Sequence, residues 1–278
     1  MLIIKTIPEM IAWCEEQRFQ GRTLAFVPTM GALHEGHLSL VRLGKNKADA
    51  VIVSIYVNPT QFGENEDLAK YPRDLEADAK MCEAAGADVI FAPTDEVMYP
   101  DGKKDYVEVE HLGTLLCGKT RPIHFRGVTT VCAKFFDIIK PDIAVFGEKD
   151  YQQLVVIRKL VEDLGLELEI VGGPIVREPD GLAMSSRNAY LSEEERVAAR
   201  SLSQSLKLAQ KMVADGERDA AKIKNAVSKA IESTKIPKID YVAIVDTATL
   251  EETDRLPAHL CIAAFVGKAR LIDNCELS

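Results

Sequence analysis

The sequence predicts an α/β protein: a parallel sheet with helical crossovers, followed by a smaller C-terminal α+β domain. Three observations predict it. Short, continuously apolar runs recur through the first two thirds of the chain, as in strands buried on both faces. Longer stretches with helical spacing separate them, and strand–helix–strand repetition implies right-handed crossovers. After about Pro174 the order changes to helices followed by strands.

The elements follow in order. Residues 24–27 form a compact apolar run before Pro28, and 51–57 form a β-branched one. Residues 88–92 and 143–146 are the third and fourth. Residues 166–171 alternate with Glu167 and Glu169, as in a strand nearer an edge. Helical spacing covers 37–47, 74–85, 128–139 and 151–164. Ser192 with Glu195 makes a capping box that opens a long, Ala-rich helix to about residue 213. Asp215-Gly216 ends it, and a second helix runs from about 220 to 233. Residues 241–245, 261–266 and 269–272 are strand-like. The boundary falls near residue 175, giving domains over 1–175 and 176–278.

Composition excludes several classes. The 278 residues suit about two domains, and 47% hydrophobic with 28% charged residues is a globular balance, not a disordered or collagen-like one. With 43 acidic against 34 basic residues the net charge is −9. Such a surface repels nucleic acid and anionic membrane. A small anionic ligand remains possible, because salt screens distant charge beyond ~8–10 Å. No run approaches the ~20 apolar residues of a spanning helix. The apolar start is interrupted by Lys5 and has no small-residue cleavage site, so no leader is expected. Cys14, Cys82, Cys117, Cys132, Cys261 and Cys275 are scattered and form no C-x-x-C pair, which argues against a metal knuckle. Reduced, mostly buried thiols in a cytoplasmic protein are the expectation, and no resident metal site is read.

In open α/β sheets, ligands bind outside the carboxyl ends of the strands. The richest such loop is Pro28-Thr29-Met30-Gly31-Ala32-Leu33-His34-Glu35-Gly36-His37. Gly31 and Gly36 permit close backbone approach, and a helix is expected to start near His37, with Gly36 as a break before it. Two imidazoles at a helix N-terminus can donate to phosphate oxygens. The plainer reading is a solvated turn whose histidines pack or cap. A zinc-protease reading fails, because its histidines stand four apart on one helix and these stand three apart. In Gly147-Glu148-Lys149-Asp150, Lys149 is a point charge suited to phosphate. The plainer reading is a surface lysine beside an Asp150 N-cap whose box Gln153 completes. Met184-Ser185-Ser186-Arg187 offers two hydroxyls and a guanidinium that could wrap a triphosphate, or is a polar linker. Gln61, in Asn58-Pro59-Thr60-Gln61, offers a donor and an acceptor for a hydroxy acid, or merely belongs to a turn.

His34-Glu35-Gly36-His37 after a strand resembles the H-x-G-H signature of the nucleotidylyltransferase superfamily, whose histidines contact ATP phosphates. The longer string from Pro28 to His37 resembles the pantoate–β-alanine ligase family. So do Val57-Asn58-Pro59-Thr60-Gln61-Phe62, Arg121-Pro122-Ile123-His124-Phe125-Arg126-Gly127, Phe146-Gly147-Glu148-Lys149-Asp150-Tyr151-Gln152-Gln153 and Asp180-Gly181-Leu182-Ala183-Met184-Ser185-Ser186-Arg187-Asn188. The C-terminal hundred residues add no specific motif.

The resemblance implies a Rossmann-like nucleotide-binding domain and a smaller C-terminal domain that closes over the site. It implies that pantoate and ATP give pantoyl adenylate and pyrophosphate, and that β-alanine then yields pantothenate and AMP. His34, His37, Lys149, Ser185, Ser186 and Arg187 would surround the phosphates. Met30, Gly147, Asp150 and the backbone at Val176 would hold the nucleoside, with Gly31, Ala32, Leu33, Glu35, Gly36, Glu148 and Met184 completing the ATP loops. Gln61 and Gln153 would hold pantoate, Gln61 also lying near β-alanine. Mg²⁺ is expected with ATP, and a homodimer is expected because relatives are dimers. Two alternatives remain: a nucleotidylyltransferase acting on a phosphorylated acceptor, which would share the H-x-G-H loop, and a non-catalytic ATP-binding or regulatory module, which would need phosphate contacts but no second substrate pocket.

Overall fold

The computed structural model describes residues 1–64, 66–102 and 105–278. The first two thirds of the chain run β1 (Leu2–Ile4), α1 (Ile7–Phe19), β2 (Leu24–Thr29), α2 (Glu35–Lys45), β3 (Ala50–Ile55), α3 (Leu75–Ala85) and β4 (Val89–Phe91). Short helices α4 (Asp95–Met98), α5 (Glu110–Thr114) and α6 (Cys117–Thr120) precede α7 (His124–Ile139), β5 (Ile143–Gly147), α8 (Tyr151–Asp163) and β6 (Glu169–Gly173). After these come α9 (Glu193–Ala214), α10 (Ala220–Glu232), β7 (Lys238–Val245), β8 (Ala258–Val266) and β9 (Ala269–Leu277). The chain divides into two compact units. One comprises Met1–Thr114, Gly118–Glu148 and Gln153–Pro174. The other comprises Leu115–Cys117, Lys149–Gln152 and Ile175–Ser278.

The first unit is built on a six-stranded sheet in the order β1-β4-β3-β2-β5-β6, every pair of which is parallel. Strand alternation explains why its central runs are continuously apolar. Ala25 and Val27 share a buried cluster with Leu40 and Val41 of α2 and Cys82 and Ala85 of α3. Phe26, between them, meets Phe135 and Phe136 of α7 edge-on, at 5.4 and 6.4 Å. Helices therefore cover both faces, and both residue parities must be apolar. The strand expected nearer an edge is β6, which lies at one edge of the sheet, β1 lying at the other. The central strands β3, β2 and β5 end at Ile55, Thr29 and Gly147, so the loops that follow leave from one edge of this sheet.

The second unit carries an antiparallel sheet, β7-β8-β9. Leu202, Leu206 and Val213 of α9, and Ile223, Val227 and Ile231 of α10, pack with Leu260, Ile262 and Ala264 of β8. The Ser192 box is formed in both directions: Glu195 N donates to Ser192 Oγ at 3.2 Å and Ser192 N to Glu195 Oε2 at 2.8 Å.

Two local expectations are corrected, and two elements, β1 and α1, are added. The helix of the His loop starts at Glu35, so Gly36 lies inside its first turn and does not break it. Glycine weakens a helix only by backbone entropy, roughly 0.5–1 kcal/mol relative to alanine, which is too little to stop the first turn. β1 and α1 carry little signal: β1 has three residues, two of them exposed, and α1 buries only the narrow stripe Met10, Cys14, Gln17. β8 and β9 are longer than their apolar cores, because ladder bonds continue through His259, Asp273 and Asn274.

Candidate functional site

Within the first unit, the loop after β2 is held from beneath by a buried carboxylate. Asp78 of α3 accepts from Ala32 N and Leu33 N, each at 2.9 Å. Gly31 has φ +79° and Ala32 φ +50°, a left-handed pair that turns both amides toward Asp78. A Cβ on Gly31 would sit 2.8 Å from Asp78 Oδ2, so this approach also demands glycine. Burial pushes the Asp78 carboxyl above its ordinary range, while the two amide bonds favour its charged form. Thr29 completes the support, accepting from Gly31 N at 3.2 Å and donating to Ser54 O at 2.6 Å.

The loop delivers His34 as N-cap of α2 and His37 in its first turn. Their rings lie 4.0 Å apart. The His34 backbone N–H donates to His37 Nδ1 at 3.3 Å. A backbone amide can only donate, so neutral His37 carries its proton on Nε2. That nitrogen is a donor suited to an anion at the positive end of α2. Leu33 is buried in the core beside α2 and acts there by packing. Glu35 pairs with Arg42 on the exposed surface of the helix.

Gln61 ends a single turn, Pro59–Gln61, capped by Asn58. Its buried amide accepts from Asn58 Nδ2 at 3.2 Å, and its Nε2 donates to Met30 Sδ at 3.2 Å. Thioether sulfur is a weak acceptor, so this N–H has much to gain from a ligand oxygen. Asn58 is itself fixed: Nδ2 donates to Gly127 O at 3.0 Å and Oδ1 accepts from Tyr99 Oη at 3.0 Å. His124 Nδ1 meets Gln61 O at 3.1 Å. A Cβ on Gly127 would fall 2.5 Å from the Gln61 backbone, so α7 can lie this close only through glycine. The Arg121–Gly127 motif thus braces Gln61. Arg121 forms a bidentate pair with Glu66, both bonds 2.7 Å, and Arg126 stacks on Tyr106 at 4.3 Å.

Gly147, which ends β5, Glu148, which follows it, and Gln153, in the first turn of α8, belong to this unit. The neighbour Gln152 is the structural glutamine: it accepts from Cys117 N at 3.0 Å and donates to Leu115 O at 2.7 Å within the second unit.

The second unit holds Lys149, Asp150, Val176 and the residues 184–187. Lys149 Nζ is 3.9 Å from Asp150 Oδ2. Val176 O accepts from Met184 N at 3.0 Å, closing a hairpin whose tip, Gly181, has φ +93°. Ser185 caps the turn Ser186–Tyr190 through Arg187 N. Asn188 ties that turn back, donating to Glu178 Oε1 at 2.8 Å and Ala183 O at 3.1 Å. The Arg196 guanidinium holds the Glu178 carboxyl below its usual range.

The structure therefore brings together His34 with His37, Met30 with Gln61, and Val176 with Met184. Asn58 and His124 stand in motifs read from the sequence but were given no place in the site, and Asp78 was missed altogether. Asp78 did leave a signal there: with Cys82 and Ala85 it shares the i, i+4, i+7 stripe of α3, an acid among buried neighbours.

Comparison with known proteins places this geometry. The family model described as pantoate-beta-alanine ligase matches residues 2–276. A pantothenate synthetase of Thermotoga petrophila is 55% identical over the whole of both chains. The crystal structure of pantothenate synthetase from Thermus thermophilus superimposes with a TM-score of 0.94, at 43% identity over 99% of each chain. That of a Francisella tularensis pantoate-beta-alanine ligase, complexed with beta-gamma ATP and beta-alanine, gives 0.82 at 33% identity, covering 99% of this chain and 97% of that one. A match spanning nearly every residue, in sequence and in fold, means that this chain belongs to the pantoate–β-alanine ligase family.

Proposed function

We propose that the chain joins pantoate to β-alanine in two steps through an acyl adenylate. The overall activity is that of its family, an ATP-dependent ligation. A carboxylate does not react with an amine at neutral pH, so it needs a leaving group first. A pantoate carboxylate oxygen attacks the α-phosphorus of ATP and pyrophosphate departs. The β-alanine amine then attacks the acyl carbon, loses a proton and releases AMP.

The first step brings one anion to another, so positioning and charge stabilisation dominate it. His34, His37, Lys149, Ser185, Ser186 and Arg187 take the phosphates. Met30, Gly147, Asp150 and the backbone at Val176 take the nucleoside, within loops completed by Gly31, Ala32, Leu33, Glu35, Gly36, Glu148 and Met184. Gln61 and Gln153 take pantoate, and Gln61 also faces β-alanine. The observation that carries this reading is the contact of Gln61 Nε2 with Met30 Sδ. An adenylate forms only if carboxylate and α-phosphate touch, and here the residues assigned to the two substrates touch.

Mg²⁺ enters with ATP in this reading. Among the described residues no group of three or more His, Cys, Asp or Glu could hold a metal ion. Mg²⁺ commonly keeps several waters and is bound through substrate phosphates. We also place the protein in the cytoplasm, as a homodimer. The six free thiols support the first, and the family resemblance supports the second, which light scattering on the purified chain measures.

Exchange of labelled pyrophosphate into ATP, with pantoate present and β-alanine absent, tests the scheme. Exchange with pantoate alone is expected. Exchange that requires β-alanine would overturn the stepwise order.

A further inference from the structure

The turn that carries Lys149 is gripped by the last two strands of its own unit. Asn274 on β9 is buried, and its Nδ2 donates to Lys149 O at 2.9 Å. A carbonyl only accepts, so this bond fixes which end of the amide is nitrogen. Asn274 Oδ1 then accepts from His259 Nε2 on β8, at 2.8 Å. The His259 ring lies flat on Tyr151, two residues beyond Lys149, with centroids 3.5 Å apart and planes 4° apart. Tyr151 Oη donates in turn to Thr247 O at 3.0 Å. The turn is thus held at a backbone carbonyl and at a ring. Its neighbour Asp273, also buried, takes Arg177 in a bidentate pair at 2.7 and 2.9 Å. Arg177 Nη1 donates further to Gly181 O at 3.2 Å, which anchors the Val176–Met184 hairpin.

Two successive residues of β9 therefore each hold one of the segments assigned to ATP. The apolar core of the unit includes neither of them, nor His259. A buried polar cluster adds little stability over well-packed apolar side chains, so stability alone does not account for it. We propose that Asn274, supported by His259, is a positioning residue for the adenylation step, fixing Lys149 through its backbone, and that Asp273 fixes the neighbouring hairpin in the same way. This rests on the reading of Lys149 as a phosphate ligand. A long, flexible lysine aims accurately only from a fixed backbone, and a misplacement of ~1 Å can cost ~100-fold in rate.

The test is pyrophosphate–ATP exchange with pantoate at saturating ATP, together with melting temperature, for the full chain and its Asn274→Ala, Asn274→Asp, Lys149→Ala and Asn274→Ala/Lys149→Ala variants. Asn274→Asp keeps the acceptor for His259 and loses the donor to Lys149, and it gives the answer if Asn274→Ala does not fold. Both Asn274 variants are expected to lose at least ~10-fold in exchange. In the Lys149→Ala background, Asn274→Ala is expected to change exchange by less than about twofold, because both act through one group. An equal loss in both backgrounds would show a merely structural role and overturn the proposal, as would normal exchange in Asn274→Asp. Normal exchange in Lys149→Ala would overturn the assignment of Lys149, and this proposal with it. A large loss in Lys149→Ala beside unchanged Asn274 variants would overturn this proposal alone.

Discussion

At His37 the backbone settles which nitrogen faces a ligand, because the His34 amide occupies Nδ1. His37→Ala and Lys149→Ala should each lose at least ~100-fold in adenylate formation, the scale of one lost transition-state donor. Both side chains are partly exposed, so melting temperatures should hardly move. Single-turnover rates and thermal melts check this, and a near-normal rate would make the residue redundant. Gln153 poses a sharper question. As a helix cap its loss would cost up to ~1 kcal/mol of stability and spare catalysis. As a pantoate ligand, Gln153→Ala should leave stability intact and lower pantoate affinity by about 1–3 kcal/mol. Gln61→Ala should do likewise, and the double variant should lose less than the sum if both clamp one molecule. A lowered melting temperature with unchanged pantoate affinity would return Gln153 to the helix.

At the scale of elements, α7 shows how a motif can act indirectly. Its Gly127 admits the Gln61 turn, and a Cβ there would meet backbone at 2.5 Å. Gly127→Ala should destabilise the chain by about 1–3 kcal/mol and weaken pantoate binding, as read by denaturant melts and titration. On β8, burial pushes the His259 imidazole below its ordinary 6.5, against the opposing bond to Asn274. Below 6.5 the unfolded chain then binds the proton that the folded chain still refuses. Its contribution is present above that value and is lost as pH falls through the folded pKa. The melting-temperature gap between the unchanged chain and His259→Gln should therefore narrow from about pH 7.5 to about 5.5. A constant gap would contradict this. The sheet was legible because β2, β3 and β5 are apolar at both parities. The ladder ends at His259, Asp273 and Asn274 were not, because long-range pairing makes buried strand of polar residues. Likewise the loops carrying His34, Gln61 and Lys149 could be read, whereas the residues behind them, Asp78, Asn58 and Asn274, act through contacts with no fixed spacing.

Across the whole molecule, four thiols are held passive by burial. Burial pushes Cys14 up to about 11 and Cys82, Cys132 and Cys275 up to about 12. The thiolate is the reactive form, so a thiol reagent at neutral pH should leave these four untouched until the chain unfolds. What remains for the catalytic account is the stepwise adenylate, and its most direct test follows one oxygen atom. Pantoate labelled with ¹⁸O in its carboxylate is turned over with ATP and β-alanine, and the AMP is examined by mass spectrometry. If the carboxylate attacks the α-phosphorus, one labelled oxygen crosses to AMP. AMP free of label would mean that carboxylate and α-phosphorus were never bonded, and would contradict the account.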